Sequence, residues 1–273
     1  VYEYDTAGNI TKTITNYIDG VHTVMISDED IVTEMTYDDA GNLTETTEAV
    51  DSPQARETRL IYDNDNRIEK AIRNYKDGTF SAGSPDEDIV TEFVYDFNGN
   101  IVSTKDAAGR FDHVCYDGFQ RPFRYVVSAA TADAAIACDP LYVGVSDSDR
   151  DIVTSLAYDN NGNIIWLTDA GGNVNYFEYD AANRQTKMVN NYVDGVFDLG
   201  FPDEDVFTST TYDALGQLET VFDPIGRKTE VCYDPLNRVV RRVSNITSDY
   251  FSVSVCAVDF SAETEPARNL VET

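Results

Sequence analysis

The sequence has 273 residues, a formal net charge of −29 and a pI near 4.1. This excess of carboxylates argues against binding to nucleic acid, whose phosphates are neutralised by Lys and Arg, and against an anionic membrane surface. Hydrophobic residues make up 42% of the chain and include 17 Tyr, which is enough to bury a core and favours strands. No stretch approaches the run of about 18 apolar residues that spans a bilayer as a helix.

The dipeptide Tyr-Asp recurs along the whole chain and marks its repeats. It occurs nine times, and successive copies are 33, 25, 33, 21, 42, 21, 33 and 21 residues apart. Two intervals form a double repeat that is present about four and a half times. We interpret residues 1–273 as a single array of about nine repeats, and as an internal fragment of a longer protein because both ends fall inside the pattern. The repeat-defining residues are Tyr4, Asp5, Tyr37, Asp38, Tyr62, Asp63, Tyr95, Asp96, Tyr116, Asp117, Tyr158, Asp159, Tyr179, Asp180, Tyr212, Asp213, Tyr233 and Asp234.

Each Tyr-Asp opens a turn motif. One slot of the double repeat reads Tyr-Asp-x-x-Gly-Asn/Gln-Ile/Leu, and the other reads Tyr-Asp-x-x-Asn/Gln-Arg. Asp can accept a hydrogen bond from the backbone two residues on, and Gly or Asn four residues after Tyr supplies the positive φ that closes a hairpin. A second turn motif begins at Asp106, Asp169 and Asp223. A short repeat is therefore predicted to be strand, turn, strand, turn in about 21 residues.

These motifs resemble the YD-repeat (RHS-repeat) family over essentially the whole chain. That family includes the shells of bacterial polymorphic toxins, the cocoon of insecticidal toxin complexes and the teneurin adhesion receptors. The resemblance implies an all-β fold in which tandem hairpins form a continuous antiparallel sheet, coiled into a spiral, tube or shell. The sequence departs from the family in its double repeat and in lacking an autoproteolytic aspartate pair and a toxin domain, so it is not assigned a role in toxin processing.

Three long intervals share a second motif, Asn-Tyr-x-Asp-Gly, which is followed by the acidic triplet Asp-Glu-Asp. Clustered carboxylates with backbone carbonyls can supply the six to eight oxygen ligands that Ca²⁺ prefers. The alternative is an acidic hairpin extension in which Asp-Gly makes the turn and the triplet keeps a sheet edge soluble. The calcium candidates are Asp19, Asp28, Asp30, Asp77, Asp86, Asp88, Asp194, Asp203 and Asp205.

Four cysteines occupy two further long intervals. Cys115 and Cys232 each precede a Tyr-Asp, and Cys138 and Cys256 follow them by 23 and 24 residues. Because Cys115 and Cys232 would lie on the order of 40 Å apart in an extended sheet, we expect the local disulfides Cys115–Cys138 and Cys232–Cys256. Free thiols and a metal site are the alternatives. Disulfides would place the protein outside the cell or at its surface.

Residues that could carry catalysis are few. The two histidines are His22 and His113, and the sequence has no nucleophile elbow, P-loop or zinc-protease motif. Trp166, Tyr176 and Phe177 are candidates for a sugar platform, with cross-strand packing as the alternative. We therefore expect no enzymatic activity and no cofactor other than calcium.

The expected function is a structural repeat module of a secreted or cell-surface protein that builds a fibre, sheath or shell. One alternative is a shell segment of an RHS-type polymorphic toxin that encloses an effector. Another is a surface adhesion module that binds a glycan or a protein. The expected partners are copies of the chain or further repeats, without nucleic acid or membrane insertion.

Overall fold

A computed structural model describes residues 1–18, 30–142, 149–196, 200–246, 256 and 270–272. Its contacts divide the chain into two compact units, Val1–Ile152 and Val153–Thr273. Both units consist of β-strands joined by turns, and the described residues include one helical turn, α1 (Ala134–Ala137). No helix in these ranges is long and apolar enough to cross a membrane.

The strands follow the predicted repeats. Those of the first unit are β1 (Tyr2–Tyr4), β2 (Ile10–Thr15), β3 (Ile31–Tyr37), β4 (Leu43–Glu48), β5 (Arg56–Tyr62), β6 (Ile68–Arg73), β7 (Ile89–Tyr95), β8 (Ile101–Lys105), β9 (Phe111–Tyr116) and β10 (Pro122–Ala129). Next come β11 (Ile152–Tyr158), whose first residue closes the first unit, β12 (Ile164–Thr168), β13 (Val174–Tyr179), β14 (Gln185–Asn190), β15 (Val206–Tyr212), β16 (Leu218–Phe222), β17 (Lys228–Tyr233), β18 (Val239–Ile246) and β19 (Leu270–Glu272).

Each strand pairs with its neighbour in sequence. The pairing is antiparallel from β1 to β10. It is likewise antiparallel from β11 to β19. The prediction of an all-β array of tandem hairpins is therefore confirmed.

The Tyr-Asp motif forms a hairpin turn with a bulge. In the turn after β3, the Asp38 amide donates to the Asn42 carbonyl at 2.9 Å, and the Gly41 amide donates to the Asp38 carbonyl at 3.0 Å. Gly41 has a φ of +87°, the left-handed conformation that follows the turn in three-residue hairpin loops. At the equivalent position Asn66 has a φ of +60°, so the predicted role of Gly or Asn four residues after Tyr is confirmed.

The buried apolar side chains lie mainly on strands that border the long intervals. Ile14 on β2 and Val32 on β3 are direct cross-strand partners, and both are buried. Ile72, Val126 and Val189 are buried at the corresponding places on β6, β10 and β14. Buried apolar positions therefore recur with the double repeat, as stacked repeats produce.

Candidate functional sites in the Tyr-Asp turns and the long hairpins

The aspartate of each Tyr-Asp holds its turn closed. Asp63 Oδ1 accepts hydrogen bonds from the amides of Asp65 at 2.8 Å and Arg67 at 2.9 Å, and Asp63 Oδ2 accepts one from Arg67 Nε at 2.8 Å. In the other slot, Asp38 Oδ2 accepts from Asn42 Nδ2 at 3.0 Å. The Arg67 amide, together with its guanidinium, lowers the pKa of Asp63 below the ordinary value. The Asn42 side chain does the same for the pKa of Asp38.

Tyrosines of the motif connect their repeats to the preceding ones. The Tyr95 hydroxyl donates to the Ile68 carbonyl at 2.7 Å. In every such bond the acceptor lies six residues after the preceding tyrosine of the array. The other bonds run from Tyr37 to Ile10, from Tyr62 to Leu43, from Tyr116 to Ile101, from Tyr179 to Ile164 and from Tyr212 to Gln185. Burial raises the pKa of Tyr95 above its ordinary value.

Neighbouring turns also touch each other through side chains that the sequence reasoning missed. Asn42 Nδ2 donates to Asn66 Oδ1 at 3.0 Å, and Asn163 makes the same bond to Asn183 in the second unit. The Arg67 guanidinium lies 4.7 Å from the centre of the Tyr95 ring, a cation–π contact. The sequence feature that could have predicted these contacts is the alternation of Asn and Arg at the fifth residue after successive motif tyrosines, because it places a polar side chain on every turn.

The last aspartate of each acidic triplet is a buried acceptor. Asp88 is 3% exposed, and its Oδ1 accepts from the amides of Lys76 and Gly78, both at 2.8 Å. Its Oδ2 accepts from the Asp77 amide at 3.2 Å. Burial alone would raise the pKa of Asp88, but these amide donors together lower it below the ordinary value. The carboxylate thereby binds the Asn-Tyr-x-Asp-Gly segment of its own hairpin.

The same geometry recurs in the other long hairpins. Asp205 accepts from the amides of Val193 at 2.9 Å, Gly195 at 2.8 Å and Asp194 at 3.1 Å. Asp30 accepts from the Ile18 amide at 2.9 Å. The recurrence identifies these aspartates as structural parts of the long hairpins.

The remaining calcium candidates lie on the hairpin surface or outside the described residues. Asp86 and Asp203 are exposed, and their backbone carbonyls accept from the side chains of the Asn that opens each hairpin. Asp77 and Asp194 are exposed and accept from the amide two residues on. Asp19 and Asp28 lie outside the described ranges.

Within the described ranges, no group of three or more His, Cys, Asp or Glu side chains is arranged to hold a metal. Calcium binding stays a prediction from the sequence.

The cysteine-containing interval of the first unit uses a related arrangement. Asp151, at the place of Asp88, accepts from the Ala130 amide at 2.9 Å and from the Tyr142 hydroxyl. Burial, together with the Asp151 carboxylate, raises the pKa of Tyr142 to about 12. A disulfide joins Cys115 on β9 to Cys138 at the end of α1, with the two Cα atoms 5.5 Å apart.

The second disulfide joins Cys232 on β17 to Cys256, with the two Cα atoms 5.4 Å apart. Each disulfide therefore joins the strand before a long interval to a cysteine within that interval. His113, two residues before Cys115, is buried, and its Nε2 donates to the Thr131 carbonyl at 2.9 Å. His22 lies outside the described residues.

Two of the three candidates for a sugar platform, Trp166 and Tyr176, belong to an aromatic cluster. Trp166 and Tyr176 are direct cross-strand partners, and their ring centres are 4.5 Å apart. Tyr192, from the following long hairpin, lies 5.0 Å from Trp166 and meets it edge-on. Phe177 follows Tyr176 in β13 and so points to the opposite face. The cluster therefore contains Tyr192 in place of Phe177.

Among the comparisons with known proteins, only the comparison with solved structures finds similar chains. No family model and no curated protein matches the chain. It is similar to a crystal structure of TcdB2-TccC3-TEV at 17% identity and a TM-score of 0.45, over 91% of this chain and 10% of that chain. It is also similar to a Photorhabdus luminescens Tc holotoxin pore at 16% identity and a TM-score of 0.30, over 85% of this chain and 15% of that chain.

A third similar structure is a porin-like protein from Bacteroides uniformis, at 10% identity and a TM-score of 0.28, over 77% of this chain and 85% of that chain. The chain spans about a tenth of the first of these structures. All three TM-scores are below 0.5, so the fold assignment rests on the strands and registers of this chain itself.

Proposed function

We propose that this chain is a structural repeat module, a length of β-sheet wall in a secreted or cell-surface fibre, sheath or shell. The observation that carries the proposal is the hydrogen bond from the motif tyrosine to a carbonyl of the preceding repeat, as from Tyr95 to Ile68, which is made by Tyr37, Tyr62, Tyr95, Tyr116, Tyr179 and Tyr212. Where it occurs, this bond couples a repeat to the one before it, so the same contact can be reused as a wall is extended by further repeats.

Two further properties support an architectural role outside the cell. The net charge of −29 keeps a large β-sheet surface hydrated and disfavours edge-to-edge aggregation. The Cys115–Cys138 and Cys232–Cys256 disulfides tie long intervals to the sheet and persist in oxidising compartments. On this proposal the repeated carboxylates have structural roles, and the chain is not an enzyme.

Electron microscopy of the natural full-length protein tests the proposal. We expect a fibre, a sheath or a hollow shell, and we expect antibody raised against residues 1–152 to label intact cells or the medium. A protein found only inside the cell as a compact particle would contradict the proposal.

A toxin shell is the second candidate, since the Tyr-Asp motifs resemble a family that includes such shells. This candidate requires an enclosed effector in the full-length protein. Limited proteolysis of the intact protein is expected to leave a protected fragment that maps outside the repeats, and full digestion of all non-repeat segments would exclude an enclosed effector.

An adhesion module is the third candidate. It is favoured by exposed apolar side chains in the third long hairpin, which begins at Asn191 and ends at Asp205. Val193, Val196 and Phe201 are exposed apolar residues in that hairpin, whereas the second long hairpin carries Lys76 and Thr79 at the positions of Val193 and Val196. Replacing Val193 and Val196 with Lys and Thr should reduce attachment to cells or glycan surfaces. The reverse exchange in the second hairpin is the matched control. Unchanged attachment would remove this candidate.

A further inference from the structure

A polar pocket of the first unit lies between the loop that joins β4 to β5 and the second long hairpin, residues 74–88. Its volume is about 510 Å³, which is in the range of pockets that hold small ligands. Gln54 and Arg56 line it on the side of the loop, and Tyr75 and Asp86 line it on the side of the hairpin. We call this space the hairpin pocket.

The loop that forms one wall is longer than its counterparts. Seven residues, 49–55, separate β4 from β5, whereas five residues separate β8 from β9, β12 from β13 and β16 from β17. The amides of Val50, Ser52 and Ala55 each donate to a backbone carbonyl at 3.0 Å, which fixes the path of the loop. The Ser52 hydroxyl donates to Gln54 Oε1 and holds that side chain in place. The fold itself therefore builds this wall of the pocket.

Tyr75 brings an aromatic ring to the pocket in a fixed orientation. The Arg59 guanidinium lies 3.6 Å from the centre of the Tyr75 ring, and the Tyr75 amide donates to the Glu57 carbonyl at 2.8 Å. Arg59 does not line the pocket, so the ring meets the pocket on a side that the guanidinium leaves open. In the third long hairpin, the equivalent Tyr192 packs instead against Trp166. The second hairpin thus presents its tyrosine to a pocket rather than to another aromatic ring.

The charges that line the pocket almost cancel. Arg56 and Lys76 bring two positive charges, and Glu57, Asp86 and Glu87 bring three negative charges. The lining therefore has a net charge of −1, although the whole chain has a charge of −29. An anion would meet three carboxylates and the repulsive field of the whole chain, whereas a neutral ligand is not repelled.

The hydrogen-bonding groups of the pocket are of both kinds. The Arg56 guanidinium supplies donors, and the Glu57 and Asp86 carboxylates supply acceptors. A hydroxyl group can donate and accept at the same time, so a ligand rich in hydroxyls can use both kinds. The face of an aromatic ring is partly negative and attracts C–H groups. A sugar ring offers C–H groups on its face and hydroxyls around its rim, which matches Tyr75 flanked by donors and acceptors.

We propose that the hairpin pocket binds a neutral saccharide, with one sugar ring stacked on Tyr75 and its hydroxyls bonded to Gln54, Arg56 and the nearby carboxylates. The activity is additional to the structural function, and it uses a different hairpin from the adhesion candidate. Because the pocket is open and contacts one or two sugar rings, we expect a dissociation constant on the order of 1 mM.

Saturation-transfer NMR on the 273-residue chain tests the proposal. The neutral probes are cellobiose, lactose, maltose and N,N′-diacetylchitobiose, and digalacturonate is the acidic probe. At least one neutral disaccharide should receive magnetisation, and its affinity should be the same at about 0.1 M and about 1 M NaCl, because a neutral ligand is not subject to charge screening.

Two variants locate the binding. Tyr75→Ala and Arg56→Ala should each weaken it at least about tenfold, whereas Tyr75→Phe keeps the ring and should bind like the wild type. Arg73→Ala is the matched control, since it removes one exposed positive charge that does not line the pocket. Arg56 is exposed, so its variant should keep the fold, which circular dichroism verifies.

Three results would overturn the proposal: no transfer to any neutral disaccharide, preference for digalacturonate, or unchanged binding in both Tyr75→Ala and Arg56→Ala. None of these results would alter the electron micrographs that test the structural function. A full-length protein without any wall would refute the structural function and leave saccharide binding by the hairpin pocket in place.

Discussion

The hydroxyl of Tyr95 donates a hydrogen bond to the carbonyl of Ile68, which lies 27 residues earlier in the chain, at 2.7 Å. Tyr95 ends β7, and Ile68 begins β6 on the far side of the preceding Tyr-Asp turn. The bond spans two successive repeats and has counterparts in both units. It explains why the array uses tyrosine at this position, since phenylalanine would fill the same space without the donor.

Replacing Tyr95 with Phe should destabilise the first unit. The change removes the hydrogen bond that the Ile68 carbonyl accepts from the Tyr95 hydroxyl, which costs about 1 kcal/mol. Urea denaturation followed by circular dichroism measures the loss. Tyr4→Phe is the matched control, because Tyr4 is exposed on β1 and should be neutral. Equal midpoints for the two variants would refute the coupling role of the hydroxyl.

Acid should destabilise the array through the turn and hairpin aspartates. The pKa of Asp63, Asp88 and Asp205 is lowered in the folded chain from the ordinary value of 3.8. A lowered folded pKa means that the stabilisation is complete above about 3.8 and disappears as the pH falls through the folded pKa. Melting temperatures should therefore be flat near neutral pH and fall below about pH 4. A melting temperature that rises on acidification would contradict the assignment.

Asp205 should control the order of the third long hairpin. Asp205→Ala removes the acceptor for the amides of Val193 and Gly195, so these amides should exchange with solvent much faster. Hydrogen exchange followed by mass spectrometry of the 190–205 peptide measures the change. Asp203→Ala, which removes an exposed carboxylate two residues away, should leave the exchange unchanged. Similar rates in both variants would show that the buried carboxylate does not organise the hairpin.

The Cys115–Cys138 disulfide should stabilise its own long interval. Removing a bridge that closes a loop of 23 residues costs roughly 3 kcal/mol in the loop-entropy account. The Cys115→Ser/Cys138→Ser variant should therefore melt lower than the wild type and be cleaved first between residues 130 and 150. Mass spectrometry of the proteolytic fragments locates the cut. Cleavage that begins elsewhere would show that other contacts hold this interval.

The calcium hypothesis makes its own prediction. If carboxylates of the long hairpins coordinate Ca²⁺, the melting temperature should be higher in calcium than in a chelator, because the ion binds the folded state. Magnesium is the control for charge screening, since it prefers smaller and more rigid sites. Equal melting temperatures in calcium and chelator would remove the hypothesis.

The local turns were predictable because their chemistry lies within five residues. In one turn, the Asp38 carboxylate accepts hydrogen bonds from the backbone and side chain of Asn42, and Gly41 has the left-handed conformation. No distant part of the chain is needed to close it. The strand bounds follow, since each strand is what remains between two turns.

The long hairpins were harder to read because an aspartate can coordinate a metal or accept amide hydrogens. Asp88 and Asp86 belong to the same triplet, and composition does not separate them. The structure buries Asp88 among backbone amides and leaves Asp86 exposed. Only the path of the hairpin decides which carboxylate turns inward.

The sequence by itself determined the repeat, the turn chemistry and the all-β class, because these depend on residues close together along the chain. The tertiary structure decided the partners of Tyr95 and Asp88 and the pocket beside Tyr75, because these depend on which strands and turns become neighbours in the sheet. Strand register sets those neighbours, and register is a property of the paired strands together.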